Sequence, residues 1–346
     1  MKAHHRPIHE ATRLAFGPVA FQVARVARDR GILAALLDGP LTTDALMEAT
    51  GLTRYAVDTL CEAGISFDLV EQEEAGWRIT RTGRLVQLDP MTRANMDFVH
   101  DVCFLGLARL DEAIDTGGPA GLKVFGEWDT VYEALAHLPE PVQRSWFAFD
   151  HHYSDRAFER VLPKVFADRP RRLLDIGANT GKWAMRCCDY DPEVEVTMVD
   201  LPGQLAKART NVDEAGFAAR VHEHPTNVLE TSAAFPTGFD AVWMSQFLVC
   251  FSLEEIRSIL RRARAALAEG GSVWILDNYW DRQRNDVARH VLHGTSIYFT
   301  AMANGNSRVY SAEHLLDCLA DAGLEVEGEW ERLGANGHTL WRCRPV

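Results

Sequence analysis

The sequence lacks the features of a membrane, secreted or disulfide-stabilised protein. It has no run of about eighteen or more apolar residues, so it predicts no membrane-spanning helix. The first residues, Met1 to Pro7, have no apolar core followed by a small-residue cleavage site, so they predict no signal peptide. The seven cysteines are scattered without a Cys-x-x-Cys pair, which argues against a zinc cage or a disulfide framework. These absences predict a cytoplasmic protein with reduced thiols and no membrane partner.

Basic charge is also scarce. The chain carries 36 Lys and Arg against 49 Asp and Glu, which gives a formal net charge of −13. The acidic excess extends to residues 1–100, where 11 basic residues stand against 13 acidic ones, a net charge of −2. Binding to DNA or RNA needs a local excess of Lys and Arg that displaces counterions from phosphates. The sequence therefore predicts no nucleic-acid partner.

The patterns that are present differ between the two halves of the chain. Residues 10–37 have apolar side chains at helical spacing, and two shorter helices then precede a hairpin of strands 67–70 and 77–80. Short helices followed by a hairpin are typical of a winged helix-turn-helix. From Arg171 onwards, short apolar strands alternate with helices, which predicts a parallel sheet covered on both faces.

At 346 residues the chain is too long for one ordinary hydrophobic core. We predict a mainly α-helical winged-helix domain over residues 1–95, a helical connector over 96–165 and an α/β domain over 166–346. The connector is rich in aromatic residues. These are core residues by default, but they could also roof a pocket for an apolar or aromatic ligand.

A strand, a glycine turn and a helix follow one another over residues 173–188. Gly177 and Gly181 let the backbone pass close to a ligand at points where a Cβ atom would collide. A dinucleotide-binding turn needs a glycine at the middle position, where this loop has Asn179. Asp200 ends the next strand, where its carboxylate could accept hydrogen bonds from both hydroxyls of a ribose. We interpret the loop as a binding site for a nucleotide-like ligand. The alternative interpretation is that it is an ordinary glycine turn in some other doubly wound enzyme.

The motif Asp-x-Gly-x-x-x-Gly at Asp175, followed about twenty residues later by Val-Asp-Leu-Pro, resembles the class I S-adenosylmethionine-dependent methyltransferases. More narrowly, the chain is similar over nearly its whole length to the small-molecule O-methyltransferases of plant phenylpropanoid and bacterial polyketide pathways. The resemblance implies S-adenosylmethionine as cofactor, bound by a Rossmann-like C-terminal domain. It also implies a winged-helix domain that makes a homodimer, and a connector that forms part of the acceptor pocket.

The resemblance further implies which residues contact the cofactor. Asp200 would bind the ribose, and the residues before and within the glycine turn would lie beside the methionine portion. Asn227 stands where the family usually has Asp, and its amide oxygen can still accept a hydrogen bond from adenine. The implied set is Ser154, Asp175, Gly177, Gly181, Asp200, Leu201, Asn227, Val228 and Ser245.

One catalytic position of the family is altered. Relatives that methylate phenols have a His-Asp pair whose His removes the phenol proton, but this sequence has Val249 and Cys250 there. A valine cannot take a proton, and Cys250 has no basic neighbour in sequence, so a buried thiol is its default role. A third acidic position of the family is retained as Asp277.

Three explanations for the altered position remain open. The enzyme could act by proximity alone, could use another base, or could catalyse a different reaction on the same fold. Histidine is the leading choice for another base, and the candidates are His151, His152, His290 and His293. Of these, His152 and His293 are the two catalytic residues we predict. His290 and His293 would face the same way on a helix, but no third ligand is identifiable, so we predict no metal.

The function predicted is methyl transfer from S-adenosylmethionine to a hydroxyl of an aromatic or apolar small molecule. An intermediate of secondary metabolism or of an aryl-polyene pigment is the expected acceptor. C-methylation, a non-methylating reaction on the same fold, and a winged-helix transcriptional regulator are the rival interpretations. Six residues are predicted to line the acceptor pocket, and core packing is the alternative role for the aromatic and apolar ones among them. The six residues are His151, Trp146, Phe149, Gln246, Tyr298 and Met302.

Overall fold

The computed structural model describes residues 6–154, 157–334 and 337–346, without the side chains of Arg6 and of residues 151–154. The chain divides into two compact units, Met1–Val99 and His100–Val346. Residues 100–165 share a unit with the sheet, so a separate connector ending at residue 165 stays a prediction.

The N-terminal unit consists of short helices and one hairpin. Thr42, Thr53 and Thr80 each accept a hydrogen bond from a backbone N–H three residues later. Each bond satisfies a free donor in the first turn of the following helix, which fixes where that helix starts. The elements are α1 (Arg6–Ala15), α2 (Gly17–Asp29), α3 (Ile32–Ala35), α4 (Thr43–Thr50), α5 (Arg54–Ser66), β1 (Val70–Glu73), β2 (Gly76–Ile79), α6 (Arg81–Leu88) and α7 (Pro90–Phe98).

The segment 10–37, predicted as a single helix, is divided between α1, α2 and α3. Pro18 stands in the first turn of α2, where its missing N–H costs nothing, and it cannot continue a preceding helix. Gly31 has a left-handed φ of 84°, which ends α2 before α3 begins. The prediction of one continuous helix was wrong, because apolar spacing carries through both breaks.

The second unit is built on a seven-stranded sheet in the order β5-β4-β3-β6-β7-β9-β8. The first five strands in this order are parallel, and β9 is antiparallel to both of its neighbours. The predicted parallel sheet is therefore confirmed, with an antiparallel pair at one edge. The strands are β3 (Arg172–Ile176), β4 (Glu195–Asp200), β5 (Val221–Pro225), β6 (Phe239–Ser245), β7 (Leu267–Asp277), β8 (Leu324–Leu333) and β9 (His338–Pro345).

Helices cover both faces of this sheet. On one face, Ile256 and Leu315 belong to a buried cluster with apolar strand residues, and on the other, Trp183 stacks on Trp243 with ring centroids 3.9 Å apart. Burial on both faces explains why the central strands are apolar without alternation. The helices are α8 (Leu110–Thr116), α9 (Val131–Ala134), α10 (Glu140–Ser154), α11 (Phe158–Val165), α12 (Lys182–Tyr190), α13 (Pro202–Glu214), α14 (Leu253–Ala265), α15 (Asp286–Tyr298) and α16 (Ala312–Asp321).

The strand order indicates at which edge of the sheet a ligand binds. β3 lies between β4 and β6, and all three run in the same direction. The chain passes from β3 to β4 and β5 on one side, and then crosses to β6 on the other side of β3. In open α/β sheets, ligands bind at such a point, beyond the carboxyl ends of the strands. Asp175, Asp200 and Ser245 lie at or next to these three ends.

A buried histidine makes the stability of the fold depend on pH. His338, at the start of β9, is 1% exposed, and burial lowers the pKa of its imidazole to about 4. The unfolded chain takes up this proton near pH 6.5, so stability present above that value is lost as the pH falls towards 4. Relative to His338→Gln, we expect the free energy of unfolding of the wild type to fall by roughly 3 kcal/mol over this range.

Denaturant unfolding of both proteins at a series of pH values measures this difference. Carboxyl groups that titrate in the same range cancel in the comparison, since both proteins contain them. Parallel pH profiles for the two proteins would contradict the assignment of His338 as a buried neutral imidazole.

Candidate cofactor and acceptor site

The loop between β3 and α12 is held in an uncommon backbone conformation. Gly177, Asn179 and Gly181 have φ values of 81°, 50° and 76°, all in the left-handed region. The Gly177 N–H donates to the Val199 carbonyl at 2.9 Å, which keeps the turn against the end of β4. Gly181 stands at the N-cap of α12 and makes no side-chain cap hydrogen bond, so the loop leads directly into the N-terminus of that helix.

Asp200 connects this loop to the end of β4. Its Oδ2 accepts the Asn179 backbone N–H at 2.8 Å, and its Oδ1 accepts the Leu201 N–H at 2.7 Å. Burial raises the pKa of Asp200, and the two backbone bonds act in the opposite direction. Each carboxylate oxygen has a further lone pair, so the group could still accept two ribose hydroxyls.

The carboxyl group of Asp175 is more deeply buried than that of Asp200. Its side chain is 2% exposed, and its Oδ2 has no hydrogen-bond partner among the described residues. Burial, and then the charge of Asp200, raise the pKa of Asp175 well above its usual value. A positive group placed beside this carboxyl would restore its ionised form.

The space over Gly177 is occupied by the protein itself. A Cβ atom at this position would lie 2.2 Å from Cδ2 and 2.8 Å from Cε2 of the Phe247 ring. The sequence predicts a close approach of a ligand to this glycine, whereas the structure places an aromatic ring there. The sequence contains no signal for this contact, because the two residues are far apart along the chain.

The last residue of β6 and the residue that follows it have polar side-chain atoms without a hydrogen-bond partner among the described residues. These atoms are Ser245 Oγ and Gln246 Nε2, and both are buried. Gln246 has a left-handed φ of 48°, and its backbone N–H donates to the Leu276 carbonyl at 2.8 Å. Unsatisfied buried polar atoms are costly, so these two groups could serve as ligand contacts.

The predicted adenine contacts are placed less clearly. Asn227 Oδ1 already accepts the Leu229 N–H at 3.0 Å, which forms a local turn after β5. Val228 is buried in the core, and Leu201 is half-buried at the start of α13. Contact of these residues with adenine stays a prediction.

The segment at the family's base position is fixed by its backbone. The Val249 N–H and the Asn278 N–H, the latter at 2.8 Å, donate to the Asp277 carboxylate. Burial raises the pKa of Asp277 to about 7, against the effect of these bonds. Asn304 Nδ2 donates to the Cys250 carbonyl at 2.6 Å. Asp277 therefore holds the base segment in place with its carboxylate oxygens.

Cys250 contacts a residue that the sequence did not point to. Its side chain hydrogen-bonds the hydroxyl of Tyr132 on α9, and burial raises the pKa of the thiol to about 12. At neutral pH the thiol is protonated and is neither a base nor a strong nucleophile. Tyr132 lies in a four-residue helix, too short for any periodic signal in the sequence.

The acceptor residues predicted from the sequence are brought together only in part. Trp146 Nε1 donates to the Tyr298 hydroxyl at 2.7 Å, which joins α10 to α15. Phe149 is half-buried on α10. Met302 is fully buried, with its Sδ beside the backbones of Gly106 and Gly121. This packing gives Met302 a core role, and its contact with an acceptor stays a prediction.

The structure does not show which of the predicted histidines acts as the general base. His293 is exposed on α15, with its ring centroid 5.4 Å from that of Trp280. The side chains of His151, His152 and Ser154 lie outside the described residues. Within the described part of the chain, no group of three His, Cys, Asp or Glu side chains is placed to hold a metal ion.

Comparison with known proteins adds the family. A family model described as an O-methyltransferase domain matches residues 108–325, well over half of the chain. The chain belongs to the O-methyltransferase family. A second model, described as a Dimerisation2-like domain, matches residues 9–77. The family resemblance predicted from the sequence is thus confirmed for both halves.

Relatives of this O-methyltransferase cover nearly its whole length. It is 24% identical over 329 residues to L-tyrosine C(3)-methyltransferase of Streptomyces lavendulae, covering 94% of this chain and 88% of the relative. It is 25% identical over 337 residues to 3-hydroxy-5-methyl-1-naphthoate 3-O-methyltransferase of Streptomyces sahachiroi, covering 94% and 92%. The solved structure of the S-adenosylmethionine-dependent methyltransferase SibL in its apo form matches with a TM-score of 0.74 at 25% identity, covering 97% and 98%.

The protein is an S-adenosylmethionine-dependent methyltransferase with an N-terminal dimerisation domain. The residues of the site fit this cofactor in their chemistry. The unpartnered Asp175 Oδ2, Ser245 Oγ and Gln246 Nε2 supply acceptors and a donor, and Asp200 has lone pairs free for a diol. None of the helices in the described parts of the chain has the length and apolar character to cross a bilayer.

Removal of the Asp200 carboxylate tests its role towards the cofactor. We expect Asp200→Ala to weaken the binding of S-adenosylhomocysteine by roughly 2–4 kcal/mol, because charge-assisted hydrogen bonds are lost. Isothermal titration measures the change. Asp189→Ala, which removes an exposed carboxylate from α12, is the matched control and should retain wild-type affinity. Wild-type affinity in Asp200→Ala would exclude the assignment.

Proposed function

We propose that the protein transfers a methyl group from S-adenosylmethionine to a hydroxyl of an aromatic or otherwise largely apolar small molecule of secondary metabolism. The match of residues 108–325 to the O-methyltransferase family carries this proposal. An aromatic acceptor is supported by the relative that methylates a hydroxynaphthoate, and by the aromatic side chains of α10 and α15. The product of the reaction is a methyl ether, together with S-adenosylhomocysteine.

The chain's own residues would bind and orient the two substrates. Asp200 and the loop from Gly177 to Gly181 would hold the ribose and methionine portions. Trp146 and Tyr298, joined by their hydrogen bond, would form one wall of the acceptor pocket. When bound, S-adenosylmethionine supplies an electrophilic methyl group on a sulfonium. In-line placement of a nucleophile against such a centre supplies a large part of the rate.

C-methylation is the second candidate. Val249 at the family's base position favours it, because an electron-rich ring carbon can attack before any proton is lost. The relative named as an L-tyrosine C(3)-methyltransferase supports it as well. A non-methylating reaction on this fold would leave the cofactor unconverted, so cofactor turnover separates it from both kinds of methylation.

Product analysis over a panel of acceptors decides between these functions. The protein is incubated with S-adenosylmethionine and hydroxylated aromatics, from phenol and catechol to L-tyrosine and hydroxynaphthoates. We expect one molecule of S-adenosylhomocysteine for each methylated product by mass analysis, with a methoxy signal by nuclear magnetic resonance. An aryl methyl signal would instead support C-methylation. Absence of binding and of conversion of the cofactor would exclude the proposal.

A homodimer in the cytoplasm is the assembly and location we propose. The dimerisation model over residues 9–77 supports the dimer, and so does an apolar surface on α1 and the start of α2. Ile8, Leu14, Phe16 and Val19 are each at least half exposed there, and Leu14 reaches 82%. Exposed apolar side chains this close together are typical of an interface. The net charge of −2 over residues 1–100 supports a protein partner rather than DNA.

Sedimentation velocity tests the dimer. We expect a dimer at micromolar concentration, and a shift towards monomer in Leu14→Asp/Phe16→Asp, since charges would be buried in the interface. Val346→Glu, which places a charge at the exposed C-terminus, is the control and should remain dimeric. A monomeric wild type would contradict the proposal, as would tight, salt-dependent binding to genomic DNA fragments in a gel shift.

The proton acceptor is proposed to be His152, with His293 as the second choice. His152 lies on α10 two residues after Asp150, whose Oδ2 accepts the Asn179 side-chain amide of the cofactor loop at 3.3 Å. This bond supports a position of the end of α10 near the loop. His293 is exposed on α15, which makes it the weaker candidate.

Single-turnover methylation at pH 6 to 9 separates the two histidines. We expect His152→Ala to lower the rate about 10²–10⁴-fold, as loss of a general base does. His293→Ala should stay within a few-fold of wild type. If both variants keep the wild-type rate and pH profile, neither is the base. The rate should then rise with pH up to the acceptor's own pKa, since only the ionised acceptor reacts.

A further inference from the structure

The cofactor loop and the segment after β6 meet through one aromatic ring. The Phe247 ring covers Gly177 so closely that a Cβ atom there would be 2.2 Å from the ring. The same ring meets Phe251 edge-on with centroids 4.8 Å apart, and it packs against the buried cluster of the sheet. Phe247 is therefore wedged between the loop and the core.

The backbone on both sides of Phe247 is fixed. The N–H of Gln246 bonds the Leu276 carbonyl of β7, and the N–H of Val249 bonds the Asp277 carboxylate. The Cys250 carbonyl accepts the Asn304 amide. Residues 246–250 are thus tied to the sheet and to the segment that follows α15. The ring has little freedom to leave Gly177.

The loop that Phe247 covers needs such support. Three of its five residues have left-handed φ values, which narrows the conformations open to the chain and carries a conformational cost. The bond from the Gly177 N–H to the Val199 carbonyl ties the turn to β4, and the Phe247 ring packs on the Cβ side of the same residue. These two contacts select one position of the loop relative to β4 and to residues 246–250.

We propose that Phe247 is a positioning residue for the cofactor: its ring, packed on Gly177, holds the loop 177–181 in register with residues 246–250. Those residues include Val249 and Cys250, which stand at the family's base position. The ring therefore fixes the position of the loop that binds S-adenosylmethionine relative to the segment that is expected to face the acceptor. A glycine is needed at position 177 for two reasons: a side chain there would collide with the Phe247 ring, and the backbone φ is left-handed. The inference rests on the cofactor assignment.

A matched control exists within the same loop. Gly181 has nearly the same φ as Gly177, 76° against 81°, so an alanine is strained to a similar degree at both positions. A Cβ atom at Gly181 would lie 3.3 Å from Met198 Sδ and would not meet Phe247 among its nearest neighbours. Only the substitution at Gly177 should therefore depend on residue 247.

The experiment is a double-mutant cycle read by isothermal titration with S-adenosylhomocysteine. We expect Gly177→Ala to weaken binding about 100-fold and Phe247→Ala about 10-fold, with the double variant only about 20-fold weaker than wild type. Phe247→Leu, which keeps apolar bulk over the glycine, should stay within about threefold of wild type. For Gly181→Ala combined with Phe247→Ala, the two effects should multiply, because a Cβ atom at residue 181 does not have residue 247 among its nearest neighbours and the deletion of the ring opens no space for it.

The unfolding midpoint of every variant is measured beside the affinity. If Gly177→Ala does not fold, recovery of folded, cofactor-binding protein in the double variant supports the proposal equally. Independent effects of Gly177→Ala and Phe247→Ala would overturn it. So would an equal rescue of Gly181→Ala, or a fall in the midpoint of Phe247→Ala with unchanged affinity, which would indicate a purely structural role. A wild type that binds no S-adenosylhomocysteine would overturn the cofactor assignment first.

Discussion

The site depends on one carboxylate, that of Asp200, because it joins the left-handed loop to the end of β4. Its bond to the Asn179 N–H holds a non-glycine residue at a φ of 50°, and its bond to Leu201 fixes the start of α13. Burial strengthens such bonds, since water does not compete for the carboxylate. The Asn179 side chain then reaches Asp150 on α10, so strand, loop and helix are linked through adjacent groups.

Buried carboxyl groups give the site its electrostatic character. Asp175, Asp200 and Asp277 all have pKa values raised, with burial as the largest cause. Such groups gain most from a nearby cation, because a cation offsets the cost of holding a charge away from water. The sulfonium of S-adenosylmethionine is a cation, whereas the thioether that remains after transfer is neutral. We expect this charge balance to favour the methyl donor over the product in binding.

Local chemistry in the sequence was sufficient for the five parallel strands, for the glycine turn and for the position of Asp200 at the end of β4, because each depends on residues close together in the chain. It did not predict β8 or β9, and it placed the first strand of the hairpin at 67–70, where the structure has β1 at Val70–Glu73. Local chemistry failed to predict the features that are determined by contacts between residues far apart in the chain. The breaks at Pro18 and Gly31 are a different case, because both residues are local signals that the apolar spacing of residues 10–37 masked. The partner of Gly177 is an aromatic ring seventy positions later, which no local pattern specifies. A Met302 packed against two glycine backbones likewise follows from tertiary packing, not from periodicity.

The base position can be argued further from its chemistry. Cys250, with a thiol pKa of about 12, stays protonated, and Val249 has no group that accepts a proton. Asp277 has a pKa of about 7, but it is buried, and its oxygens serve backbone N–H groups of the same segment. Val249 and Cys250 therefore cannot serve as the proton acceptor at neutral pH. An acceptor acidic enough to be ionised at the working pH, or one that attacks through carbon, needs no such group. If the proposed His152 is not the base, the reaction depends on such acceptors, which include acidic phenols and electron-rich rings but not aliphatic alcohols, whose hydroxyl protons require a strong base.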